Sequence, residues 1–207
     1  MKQYNLTCAQ DWVQYLDRLF RTVEVDNFLE FGLGVGTEFL CDHAGHVTSV
    51  ELSTGDYNLQ WTNQTKEQLK DYENWTLHYV NIPDEIQKAN QDAIDHQYPL
   101  EDLSYLPVLE DLVVPFMTER EYDVIFVDPG IHNRGDIVNL AFGHAGIVAA
   151  HDSDRTGRVI SNIYGYNIVN VPENYTEVHR DDSYCGTTFW VDHTMEGADV
   201  LIQVLRT

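Results

Sequence analysis

The sequence predicts an α/β protein in which short buried strands, mostly parallel, alternate with helices covering both faces of one sheet. Three observations lead there. Apolar runs bounded by glycine or proline recur with helical segments between them, giving strands at about 27–31, 46–51, 76–80, 122–128 and 146–152. The first of these ends in a bend with glycine at alternate positions, Gly32, Gly34 and Gly36, and runs directly into a helix-compatible segment. The tail then carries apolar runs at Ile168–Val171, Thr187–Val191 and Val200–Val204 without a long helix between them, and reads as three further strands.

The elements follow in order. Cys8 to Val23 places Trp12, Val13, Tyr15, Leu16, Leu19, Phe20 and Val23 on a helical stripe, an amphipathic helix suited to covering the sheet or its cleft. Strand one (27–31) leads to a helix at 37–43 and strand two at 46–51. The turn signal Ser53–Asp56 precedes helical spacing at Trp61, Thr65, Leu69 and Tyr72. Residues 82–121 exceed one crossover. Pro83–His96 and Leu100–Met117 both read as helical, the second interrupted by Pro107 and Pro115. This insertion is either a cap over the carboxyl ends of the strands or ordinary packing. Val124–Val127 form the clearest buried strand, ending in Asp128 and broken by Pro129-Gly130. Helices are expected at Ile137–Phe142 and Asp154–Ile163, on either side of a strand that ends in His151-Asp152. No repeat or linker divides the chain, so 1–207 reads as a single domain.

Composition narrows the function classes. Hydrophobic content of 43% fits a globular protein. No apolar run approaches the roughly 20 residues that span a bilayer, and Met1–Asp17 lacks the order of a signal peptide, so a cytoplasmic protein is expected. Cys8, Cys41 and Cys185 are widely separated and read as free thiols. Against 34 acidic residues stand 12 basic ones, a net charge of −22. Such a surface repels polyanions and argues against nucleic acid as a partner. It fits a salt-rich environment, where screening removes the self-repulsion, or a plain solvated acidic surface.

The glycine bend is the informative stretch. The dinucleotide fingerprint needs its third glycine three positions after the second, but position 37 is Thr. The pattern is Glu30-x-Gly32-x-Gly34-x-Gly36, and the next strand closes on Glu51. This pair of features resembles the first two motifs of the class I S-adenosylmethionine (SAM) methyltransferases. The resemblance covers about 27–152 by motif and the remainder by strand order. It implies a Rossmann-like sheet of seven strands in the order 3-2-1-4-5-7-6 with strand seven antiparallel, SAM as cofactor, and methyl transfer to a small-molecule acceptor at oxygen. It also implies that Glu30, Gly32, Gly34, Gly36 and Thr37 hold the amino-acid half of SAM, Glu51 the ribose and Asn81 the adenine, with Asp128 facing the methionine amino group or a metal.

Strands four and five lie side by side in that order, so Asp128 and Asp152 project from neighbouring ends. Carboxylates that close share a proton or a cation. Some relatives bind a divalent metal there, which makes Asp128 and Asp152 candidate Mg2+ ligands, although the usual third carboxylate or amide is replaced by His151 or Asp154. His132, four residues after Asp128, is the candidate base for a hydroxyl acceptor. The alternative is that His132 or Arg134 simply orders the loop. The Asn/Asp-Pro-Pro-Tyr/Phe motif of base-flipping amino-methyltransferases is absent beyond Asp128-Pro129. Two other classes stay open: an acidic, non-catalytic binding protein or degenerate subunit, and a metal-dependent hydroxylase-like enzyme on the same fold.

Overall fold

The computed structural model describes residues 10–153, 162–180 and 185–207. Its strands are β1 (Asn27–Phe31), β2 (His46–Ser53), β3 (Trp75–Asn81), β4 (Tyr122–Val127), β5 (Ala145–His151), β6 (Tyr175–Arg180) and β7 (Thr187–Asp192). Its helices are α1 (Gln10–Thr22), α2 (Thr37–His43), α3 (Asp56–Leu69), α4 (Asp84–His96), α5 (Leu106–Met117), α6 (Arg134–Ala141) and α7 (Ala198–Arg206). The seven strands form one sheet in the order β3-β2-β1-β4-β5-β7-β6. All neighbours pair in parallel except β7, which is antiparallel to both β5 and β6. This is the topology that the family resemblance implies.

Side-chain alternation along the strands builds two cores. Leu29, Phe31, Val50, Leu52, Ile125, Val127, Val148, Ala150 and Trp190 face α4, α5 and α6. Phe28, Val47, Val124, Phe126, Ile147, Ala149, Phe189 and Val191 face α1, α2 and α7. The central strands are apolar on both faces because both are covered. Register carries the chemistry to one end: Glu30 lies beside Ser49 on β2 and Phe126 on β4, and Val127 lies beside Ala150 of β5.

The structure corrects the tail. Ile168–Val171 is not a strand; a 3-10 turn at Tyr166–Ile168 and a stretch without regular structure occupy it, and β6 starts only at Tyr175. That strand is polar because it is the sheet edge, with Tyr175 and Val178 its buried residues. Val200–Val204 is not a strand either. It lies inside α7, whose buried residues Ala198, Leu201, Ile202 and Leu205 keep helical spacing. Pro107 falls in the first turn of α5, where a missing N–H is tolerated, whereas Pro115 lies inside the helix near its C-terminal end and has no N–H to give to the carbonyl four residues back. Helix α6 starts at Arg134, earlier than Ile137. The helix expected at 154–163 and the start of the leading helix at Cys8 lie largely outside the described residues.

Candidate functional site

The three glycines of the β1–α2 turn differ in what they allow. Gly32 has φ +101°, and a Cβ there would stand 2.2 Å from the Asp128 carbonyl oxygen. It lets β1 turn hard against the end of β4, where the Asp128 N–H donates to the Phe31 carbonyl at 2.8 Å. Gly36 makes room for an aromatic ring, since its Cβ would fall 2.2 Å from the Trp12 indole of α1. Gly34 has neither constraint. Nothing lies within 4 Å of where its Cβ would be.

Beside Gly34 is a cavity of about 210 Å³ lined by Trp12, Glu30, Gly32 to Thr37, Trp61, Phe126 and Asp128. Its buried acid, Glu30, accepts hydrogen bonds from Thr37 Oγ1 at 2.7 Å and Ser49 Oγ at 2.5 Å. Ser49 Oγ accepts the Trp75 indole N–H, and Thr37 Oγ1 accepts the Gly34 N–H, so the carboxyl ends a chain of oriented groups. Burial pushes the Glu30 carboxyl up to about 8, with Glu51 and Asp128 adding to the rise against the two hydroxyl bonds. A positive group entering the cavity would reverse that balance. Trp12, Trp61 and Phe126 supply aromatic surface for the same guest.

Glu51 is buried, and its Oε2 accepts the Leu33 N–H at 2.9 Å. Strand β2 continues past it to Ser53. The Leu33 carbonyl accepts the Trp61 indole N–H at 2.6 Å, so this residue of the turn is held from both sides. Glu51 therefore supports the cavity from behind rather than lining it. Asn81 is exposed at the end of β3, opposite Ser53 in register, and does not line the cavity.

Asp128 and Asp152 do come together, and what they share is a guanidinium. Arg134 Nη1 lies 2.6 Å from Asp128 Oδ1 and 3.0 Å from Asp152 Oδ2. Arg134 Nε donates to the Ile131 carbonyl at 3.3 Å, and the group stacks 3.9 Å from the centre of the Tyr164 ring. His151 Nδ1 contacts the other Asp128 oxygen at 3.3 Å and Asp152 Oδ1 at 3.7 Å. Burial opposes ionisation of Asp128, but Arg134 and His151 overturn it and hold the carboxyl below its usual range. Burial likewise works against charge on His151, and the Asp128 contact outweighs it, raising the imidazole. As they stand, the carboxylates meet an organic cation where the metal-binding relatives of the sequence resemblance would place Mg2+. The donor set does not fit a divalent ion without displacing Arg134. Among the described residues one other group of ligand atoms converges, His151, Asp152 and Cys185, within 4.8 Å of one another, and it uses the same Asp152.

His132 lies on the β4–α6 loop. Its backbone N–H donates to Asn90 Oδ1 of α4 at 2.7 Å, and its Nδ1 lies 2.8 Å from the same oxygen. An amide oxygen only accepts, so Nδ1 carries the proton and the lone pair of the neutral ring is at Nε2. The ring stacks on Tyr164 at 5.1 Å. Burial, with Arg134 nearby, lowers its pKa and keeps it neutral. The loop is anchored behind by Asp136, which accepts from Tyr98 and Tyr105 at 2.9 and 2.8 Å, while Asn133 Nδ2 donates to the Tyr98 hydroxyl at 2.8 Å. Sequence reasoning missed Trp12, Trp61, Phe126 and Arg134 as site residues. Trp12 and Trp61 were visible only as points on helical stripes, and the arginine only as a loop residue.

No protein-family model matches the sequence, and no curated protein does. Solved structures match by shape. A Staphylococcus aureus protein described as a caffeoyl-CoA O-methyltransferase aligns over 87% of this chain and 82% of its own, at TM-score 0.54 and 16% identity. A Bacillus cereus O-methyltransferase in complex with S-adenosylhomocysteine covers 92% and 84%, at 0.52 and 14%. The Streptomyces achromogenes O-methyltransferase TomG, in complex with SAM, covers 87% and 77%, at 0.51 and 14%. The chain has the class I SAM-dependent methyltransferase fold.

Proposed function

We propose that this chain binds SAM along the β1–α2 turn and transfers its methyl group to a hydroxyl oxygen of a small molecule. The observation that carries the reading is the cavity at Gly34, where bare backbone, two carboxylates (Glu30 and Asp128) and three aromatic rings converge. A small cationic guest with an amino-acid end matches those walls. The neighbours of the same fold that contain SAM or S-adenosylhomocysteine support the choice of guest.

When bound, the sulfonium supplies an electrophilic methyl group, and the C–S bond electrons stay with sulfur. The protein's part is placement and proton removal. Glu30 and Asp128 hold the ammonium end, while Trp12, Trp61 and Phe126 keep water from the sulfonium. The Nε2 lone pair of His132 takes the proton of the attacking hydroxyl, and Asn90 holds the ring in the required tautomer. The segment after α4 and the Tyr164 ring would shape the acceptor side. With −22 overall, the acceptor is a neutral or cationic small molecule rather than a polyanion.

Calorimetric titration with S-adenosylhomocysteine tests the reading. The wild-type chain should bind one equivalent, and Gly34→Val, whose side chain enters the cavity, should not. An acidic binding protein with no cofactor would bind neither SAM nor S-adenosylhomocysteine, and that result would overturn the proposal.

A further inference from the structure

We propose that Arg134 is a built-in counter-cation, holding the position between Asp128 and Asp152 from which a divalent metal would otherwise grip both carboxylates. The centre then works without a metal, and Arg134 is a positioning residue that fixes Asp128 at the cavity wall. Only the catalytic half of this inference rests on the methyl-transfer reading.

The guanidinium is held through Nη1, Nε and one face. Its Nη1 bridges the two aspartates, its Nε is committed to the Ile131 carbonyl, and its face lies on Tyr164. The side chain is only 7% exposed. The backbone delivers it there deliberately. Helix α6 begins at Arg134, and the next residue, Gly135, sits so close to the 164–166 turn that a Cβ would fall 1.9 Å from the Gly165 carbonyl oxygen. The Gly135 N–H donates to the Tyr164 carbonyl at 2.8 Å, clamping the helix start to the ring that supports the guanidinium. Asp152 takes φ +56°, an uncommon conformation for a side-chain-bearing residue, and from it reaches Nη1. A metal ion entering here would have to compete with an arginine that cannot give up its charge or easily leave. Removing that arginine would leave two facing carboxylates, the arrangement a hard cation seeks.

Manganese titration of the purified full-length protein tests this, read by calorimetry and by the EPR signal of free Mn2+. Asp128→Asn defines background uptake by the acidic surface. Wild type should bind no more Mn2+ than Asp128→Asn does. Arg134→Ala should gain one site, roughly tenfold or more tighter than wild type, that the added Asp128→Asn change removes. Arg134→Lys, which keeps the charge, should gain none. A stoichiometric wild-type site abolished by Asp128→Asn would overturn the inference. So would a zinc site abolished by Cys185→Ser, because it would take Asp152 from the arginine. A folded Arg134→Ala protein that gains no site would overturn it as well, and if that variant fails to fold, the wild-type comparison decides alone. S-adenosylhomocysteine binding by the wild-type chain is measured apart from Mn2+ uptake, so a failure here is distinguishable from a failure of the methyl-transfer reading.

Discussion

The Leu33 N–H donates to Glu51 Oε2 at 2.9 Å, tying the glycine turn of β1 to the acid of β2 across 18 positions of sequence. The acid expected to meet a ribose thus serves the protein's own backbone first. A carboxylate has further lone pairs, so under the proposed function the same acid would also receive sugar hydroxyls.

Glu51→Gln keeps an oxygen for Leu33 and loses the charge. Thermal stability should stay near wild type, while S-adenosylhomocysteine binds roughly 10- to 100-fold more weakly, the scale of charge-assisted hydrogen bonds. Glu51→Ala should also destabilise the fold by about 1–3 kcal/mol, because the buried Leu33 N–H loses its partner. Calorimetry and denaturant unfolding separate the two effects.

The glycines should separate in the same way. Gly32→Ala must accommodate a Cβ 2.2 Å from the Asp128 carbonyl oxygen at φ +101°, and should lose at least about 2 kcal/mol of stability. Gly34→Ala meets nothing and should unfold within about 0.5 kcal/mol of wild type, while weakening the cofactor. Urea midpoints for both variants check this.

Glu30 gives a pH signature. Its carboxyl rises from an ordinary 4.5 to about 8 in the fold, so the native state binds the extra proton. Below about 4.5 the group is neutral folded or unfolded and costs nothing. Stability should fall as pH rises through the window from 4.5 to about 8, and level off above it. Glu30→Gln should flatten that slope. Because a cationic guest favours the ionised form, S-adenosylmethionine should bind with proton release below pH 8, measurable as a buffer-dependent heat.

His132→Gln should lower kcat by roughly 100- to 10,000-fold toward a hydroxyl acceptor with little change in cofactor affinity, the range expected for a lost general base. Since the ring is held neutral, kcat should rise with pH through a value below the usual histidine range and then stay flat. A variant that lost activity only through loosened cofactor binding would refute the role.

The anchor behind that loop can be tested without turnover. Tyr105→Phe removes one of two hydroxyls that donate to buried Asp136, and should cost about 1–2 kcal/mol in unfolding.

The sheet was legible because its strands carry dense local signals. Phe28, Leu29 and Phe31 before a glycine, and Val124 to Val127 before an acid and a proline, have one reading each. The tail lacked such signals. Val200 to Val204 holds β-branched residues in a short apolar run, which suits a strand, but its burial at 198, 201, 202 and 205 is set by packing on the sheet. Edge strand β6 is the converse, a strand with few apolar residues because one edge meets solvent. In the site, Glu30 and Asp128 were singled out through the family resemblance and both line the cavity, and the side-by-side placement of Asp128 and Asp152 followed from the strand order it implies. The partner they share was not. Arg134 reaches them because α6 starts where it does and Gly135 lets it lie flat, facts that belong to three-dimensional packing rather than to spacing.

Trp12 and Trp61 both line the cavity, whereas Trp75 is bonded to Ser49 and Trp190 is sealed in the opposite core. The protein therefore carries its own reporter. A guest stacking between ring and glycine would dim two indoles out of four and leave the others unchanged, so single Trp→Phe variants would show by fluorescence which wall a bound molecule touches, with no label attached.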